Sequence, residues 1–107
     1  MRGINKITLI GNLGADPQFL EFAQGTRVTK VSIATTEVWK DKDGSYKEET
    51  SWHPLVLWGK LADLVRERGK KGSRLYVEGK LKSRHYNDAD GKKKYVSEIV
   101  VDSILFL

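Results

Sequence analysis

Three tryptophans, Trp39, Trp52 and Trp58, stand among lysines and arginines, and their spacing is that of strands. Between Glu49 and Trp58 alternation puts Trp52, Val56 and Trp58 on one face and His53, Leu55 and Leu57 on the other. A strand apolar on both faces needs two burial partners. The tryptophans therefore either complete a core or subunit contact, or stand free as stacking platforms. Trp39 favours the platform, because it sits beside Lys40 at the mouth of a polar hairpin where little core should exist. Between Arg74 and Asn87, Leu75, Val77, Gly79 and Leu81 alternate with Tyr76, Glu78, Lys80, Lys82, Arg84 and Tyr86, so the second face is basic with a tyrosine at each end. Rings interleaved with cations suit unpaired nucleic acid. Bases stack on rings at about 1–3 kcal/mol each, while Lys and Arg follow the phosphates without reading sequence. Duplex reading usually inserts a helix into the major groove, and the one helical segment here is short, with Asp63 and Glu67 on its surface.

Catalysis finds no matching constellation. His53 and His85 are isolated, Asp88 and Asp90 fall at a turn, and there is no cysteine to serve as nucleophile, disulfide partner or metal ligand. No enzyme, metal or cofactor is expected. The 107 residues suit a single domain, 1–107, and a net charge of +5 favours a polyanionic partner. That charge is concentrated: residues 60–94 hold twelve Lys/Arg against five Asp/Glu, net +7, leaving −2 elsewhere. Lys92, Lys93 and Lys94 stand at a turn, where solvated lysines are equally ordinary. Neither a signal-peptide h-region nor a bilayer-length apolar run is present, so a cytoplasmic protein without membrane contact is expected.

The elements that position these residues read as strands. Runs are expected at Ile4–Leu13, Arg27–Trp39, Glu49–Trp58, Arg74–Asn87 and Lys94–Phe106. Gly11 and Gly14 should bend or end the first, and the out-of-phase Val28 and Val38 imply a bulge or strong curl in the second. Lys40–Ser45, with its Asp43-Gly44 signal, makes the second and third a long hairpin. From Lys60 to Arg68, Leu61, Leu64 and Val65 recur at helical spacing, with Gly69 or Gly72 as the stop. No internal repeat is evident. Five curled strands with one short helix between the third and fourth match an all-β OB-fold, a five-stranded Greek-key barrel.

Several linked segments then resemble the bacterial single-stranded DNA-binding proteins. They are Gly3–Ile7, Gly11–Pro17, Ile33–Lys42, Glu49–His53, Val56–Ala62 and Lys71–Leu81, in order along nearly the whole chain. The resemblance implies sequence-independent binding and protection of single-stranded DNA in replication, recombination and repair, in the cytoplasm with the nucleoid. By the same resemblance, Trp39, Trp52, Trp58 and Tyr86 take base-stacking positions, Tyr86 where tryptophan is common. Arg2, Lys40, Lys47, Lys60, Lys71, Lys82 and Arg84 match positions that meet the DNA backbone.

Lys6, His53, Tyr76 and Glu78 are implied at subunit contacts of a homo-oligomer, usually a homotetramer in the family. Two departures qualify this assembly. Pro54 interrupts the third strand and demands an edge or a bulge, and Arg74, Glu78 and Lys80 charge the face that would join dimers. The dimer is the firmer expectation. Relatives add a flexible linker and an acidic tip, whereas this chain stops at Ile104–Leu107, so tail-mediated protein partners are not expected. A replication accessory OB protein and an RNA-binding OB domain remain as alternatives, since stacking alone does not separate ribose from deoxyribose.

Overall fold

A computed structural model describes all residues, 1–107. The elements are β1 (Ile7–Leu13), β2 (Gln18–Glu21), β3 (Arg27–Lys40), β4 (Tyr46–Trp58), α1 (Lys60–Arg68), β5 (Arg74–Asn87) and β6 (Lys93–Phe106). The sheet runs β1-β5-β6-β4-β3-β2, and β1 also pairs with β3, which closes five strands into a barrel. This is the expected OB-fold, with β2 added at the rim. β2 has only four residues, too few for alternation to reveal it in the sequence.

Closure depends on close approaches. β1 leaves β5 after Asn12 and meets β3 at Asn12–Ala34 and Leu13–Ile33. At Gly11 a side chain would collide with the Ala34 carbonyl, so the glycine admits the crossing rather than ending the strand. β1 also begins later than expected, at Ile7. Before it, the Asn5 side chain imitates a strand, its Nδ2 donating to the Leu81 carbonyl at 2.7 Å and its Oδ1 accepting from the Leu81 N–H at 3.0 Å.

Inward-pointing residues of the barrel strands, among them Leu13, Ile33, Leu55, Leu57, Leu75, Val77 and Ile99, form one core with Val65 of the helix. Helix α1 is tied down by polar contacts as well as burial. The buried Thr29 hydroxyl donates to the Ala62 carbonyl at 2.9 Å, and Asp63, expected on a solvated face, instead pairs with Arg27 Nε at 2.7 Å. Arg66 lies over the Phe19 ring at 4.0 Å and Arg68 over Phe106 at 4.7 Å, joining the helix to β2 and β6.

Of the bulge or strong curl expected in β3, the bulge is absent. β3 and β4 pair in unbroken register from Val28–Trp58 to Lys40–Tyr46. Val28 is out of phase because β3 is covered on both faces at that point: Thr29 lies under the helix, while Val28 lies on the outer face beside Leu20, Phe22 and Trp58. Val38 is simply exposed. The irregularity falls instead between Glu78 and Gly79 of β5. Pro54 likewise needs no bulge. Its partner Ser32 gives its carbonyl to the Gly14 N–H, so the Ser32–Pro54 pair is not hydrogen-bonded across the ladder. The missing proline donor faces the other edge, where β4 meets β6 only at Leu55 and Val56.

That short β4–β6 contact is parallel, so the hairpins β3–β4 and β5–β6 leave the barrel from the same end as two arms. Their tips are built alike, a likeness the sequence reading passed over. In each an aspartate N–H, of Asp41 or Asp88, bonds the carbonyl four residues on, and its own carbonyl accepts from Gly44 or Gly91, whose φ angles are 82° and 78°. Asp41 Oδ1 and Asp88 Oδ1 each accept two further backbone N–H groups at 2.9–3.1 Å. Lys47 and Lys94, each six residues after its aspartate, then pair with Asp41 at 3.7 Å and Asp88 at 3.9 Å.

Removing the Thr29 hydroxyl tests how far the helix depends on its tether. Thr29→Val should lower the free energy of unfolding by about 1 kcal/mol in urea titration, because it removes the hydroxyl's bond to the Ala62 carbonyl.

Candidate nucleic-acid interface

Alternation and register together assemble the outer face of the barrel. Lys30, Ser32 and Val28 of β3, Trp52, Pro54, Val56 and Trp58 of β4, Glu98 and Val100 of β6, and Lys82, Arg84 and Tyr86 of β5 all point away from the core. Two shallow depressions run across this surface. One is bordered by Ala15, Asp16, Gln18, Lys30, Pro54, Val56 and Glu98, and the other by Leu20, Phe22, Val28, Lys30, Trp58, Arg84 and Glu98. Trp58 and Phe22 also border a third, more open hollow with Gln24 and Thr26.

The tryptophans are not core residues of this chain. Trp39, Trp52 and Trp58 are 45%, 61% and 48% exposed, and Tyr86 is half exposed. Trp52 is nonetheless held. Its ring lies against Gly14, where a Cβ would overlap it, so the absence of a side chain in the β1–β2 loop lets the indole lie down beside the loop. Trp58 sits opposite Val28, with Phe22 and Leu20 bordering the same depression.

The expected site residues do not all share this surface. Trp52, Trp58, Tyr86, Lys82 and Arg84 belong to it, and Lys40 lies on the same side of the first arm. Trp39 and Lys47 are paired across β3 and β4 on the opposite side of that arm, continuous with the core-facing side of the barrel. Lys60 is exposed at the start of α1, and Lys71 is exposed in the loop before β5, its backbone N–H held by Asp16 at 2.9 Å. Arg2 lies in the exposed segment before β1.

Lys30, Phe22 and Glu98 were missed by residue reading. Lys30 carried a signal, since it alternates in phase with Val28 and Ser32. Phe22 and Glu98 carried none, because β2 and the β5–β6 register bring them in.

A second exposed surface lies across β1, β5 and β6. The registers Ile10–Tyr76–Leu105 and Thr8–Glu78–Ser103 put an apolar row beside a polar one, with Ile10 and Leu105 exposed. β1 pairs with β5 along one edge and with β3 only at its last two residues, so its other edge is largely open. Lys6 immediately precedes it, exposed. His53 lies apart from this surface, half-buried on the core side of β4, with Nε2 hydrogen-bonded to Thr35 Oγ1 at 2.9 Å.

A five-stranded barrel with aromatic and cationic side chains on its outer face defines a nucleic-acid-binding OB-fold. The chain matches the Single-strand binding protein family over residues 4–107 and belongs to it. It is 49% identical over 108 residues to the Single-stranded DNA-binding protein 1 of Xylella fastidiosa, covering all of this chain and 79% of that one. Its structure resembles that of the Plasmodium falciparum SSB in complex with ssDNA, with a TM-score of 0.89, 33% identity, and coverage of 100% of this chain and 97% of the other. It also resembles a deletion mutant of the Thermus aquaticus single-stranded DNA binding protein, with a TM-score of 0.85 and 29% identity, spanning 51% of that longer chain.

On the β5 surface the Tyr76 hydroxyl donates to Glu78 Oε1, and this bond, with burial and the carboxylate charge, raises the Tyr76 pKa above the ordinary tyrosine value. Only the protonated phenol donates. The bond therefore stabilises the fold below the unfolded-state pKa of about 10 and is lost as pH rises through the higher folded-state value. In an absorbance-monitored alkaline titration Tyr76 should ionise above the ordinary tyrosine value, and Glu78→Gln should lower its ionisation pH.

Proposed function

We propose that this protein coats single-stranded DNA without reading its sequence, Trp52, Trp58 and Tyr86 stacking bases while Lys30, Lys82 and Arg84 meet the phosphates. Single-stranded DNA binding itself is the activity of the family to which the chain belongs. The observation that carries the proposed mechanism is the exposure of Trp52 and Trp58 on one face with these cations, at 61% and 48%. A tryptophan left half in water on a rigid sheet offers its ring to a base at little ordering cost. Trp39 and Lys47, on the opposite side of the first arm, serve a strand that passes round the arm, and Lys40, Lys60, Lys71 and Arg2 extend its path beyond the barrel.

Replication, recombination and repair are the processes that expose single strands, and protection of those strands in the cytoplasm, at the nucleoid, is the corresponding role. We propose a homo-oligomer as the working form. The open edge of β1 supports pairing with the same strand of a second copy, next to Lys6, and the Ile10–Tyr76–Leu105 row supports a further contact between dimers involving Glu78. His53, bonded to Thr35 near the base of the first arm, is assigned to the subunit contact as well.

Titration with poly-dT, poly-U and duplex DNA while following tryptophan emission tests the ligand class. Strong quenching by poly-dT with weak duplex binding is expected; equal duplex affinity or unchanged emission would refute the reading. Trp52→Ala should weaken poly-dT binding by about 1–3 kcal/mol with the thermal transition retained. Lys71→Ala should reduce the slope of log affinity against log salt by about 0.7 if its ammonium meets a phosphate, and an unchanged slope would leave it in solvent.

A further inference from the structure

A carboxylate occupies the middle of the surface on which phosphates are proposed to bind. Glu98 borders both depressions, and its side chain is only 15% exposed. A carboxylate so far removed from water needs a partner. Lys82 is its register partner across β5–β6, yet the carboxylate takes Arg84 instead, Oε1 accepting from Nε at 3.0 Å. Lys30 borders the same two depressions without pairing with it. The bond uses only Nε. The two terminal nitrogens of Arg84 make no hydrogen bond within the chain, and the side chain stays 54% exposed.

We infer that Glu98 is a positioning residue, which holds Arg84 by Nε so that its terminal fork is presented to one phosphodiester of the bound strand. This rests on the reading that the outer face binds single-stranded DNA. Charge alone argues the reverse, since a carboxylate weakens the positive field and its loss would tighten binding. Geometry outweighs charge here for two reasons. The paired terminal nitrogens match two phosphate oxygens only when the guanidinium plane is fixed, and an arginine already fixed loses less side-chain freedom on binding. The carboxylate is also nearly buried and committed to Nε, so it presents little of itself to the phosphate.

The test compares Glu98→Met, Glu98→Gln, Arg84→Ala and the Arg84→Ala/Glu98→Met double variant. Each is titrated with a dT oligonucleotide across a salt series, with thermal melting as the control for folding. Methionine keeps the bulk and removes the acceptor, whereas glutamine keeps an acceptor oxygen and removes the charge. Glu98→Met should weaken binding roughly three- to tenfold and lower the salt slope by about 0.7, as Arg84→Ala does. The double variant should bind no more weakly than Arg84→Ala alone, and Glu98→Gln should stay close to the wild type. Tighter binding by Glu98→Met, unchanged binding by it, or additive losses in the double variant would overturn the inference while leaving the wild-type reading intact. Failure of the wild type to bind the oligonucleotide would instead remove the reading on which it rests.

Discussion

The parallel contact of β4 with β6, made at only Leu55–Ile99 and Val56–Val100, organises the rest of the molecule. It is as short as the pairing of β1 with β3, and with the bridge that β1 makes between β5 and β3 it joins the two long hairpins. Because it is parallel, both arms leave from one end. Because its register keeps Val56 in phase with Val100, the outer faces of the hairpins become one surface. Trp52 and Trp58 come from one hairpin and Lys82, Arg84 and Tyr86 from the other, and no single hairpin carries the full set.

Burial is divided unequally about this sheet. The inner face builds the core with α1, and the outer face buries only Val28 and Val56 while leaving the large rings half in water. A soluble domain usually pays in aggregation risk for exposed tryptophans. Here the net charge of +5, whose excess is concentrated in residues 60–94, keeps the surface solvated and gives a polyanion a reason to approach it. Four of the acids are committed to partners within the fold. Asp41 and Asp88 spend one oxygen on turn backbone, Asp63 pairs with Arg27 against the helix, and Glu98 is nearly buried against Arg84.

Much of this was legible beforehand. The helix at Lys60–Arg68, the strand Arg74–Asn87 and the Asp-Gly hairpin emerged with nearly their observed bounds, because each has a strong local cause in helical spacing, alternation or turn chemistry. Resemblance then supplied the family from linked motifs. Phase misled on one alternative, the bulge in β3. Val28 suggested a bulge, yet an in-register strand covered on both sides produces the same pattern. β2 and the role of Asp63 were hidden because both depend on partners distant in sequence: β2 on the edge of β3, and Asp63 on Arg27.

The sequence by itself determined which residues alternate, where the chain turns, how charge is distributed along it and which family it belongs to, since these follow from residue type and near-neighbour spacing. Only the tertiary structure decided which aromatics share a side. Trp39 and Trp52 look equivalent in the sequence, but an odd and an even position in one unbroken hairpin register face opposite ways. It also decided that Glu98 takes Arg84 and that Trp52 lies against Gly14, because side chains 14 residues apart meet through the register of the β5–β6 hairpin and those 38 apart through the packing of the β1–β2 loop on β4.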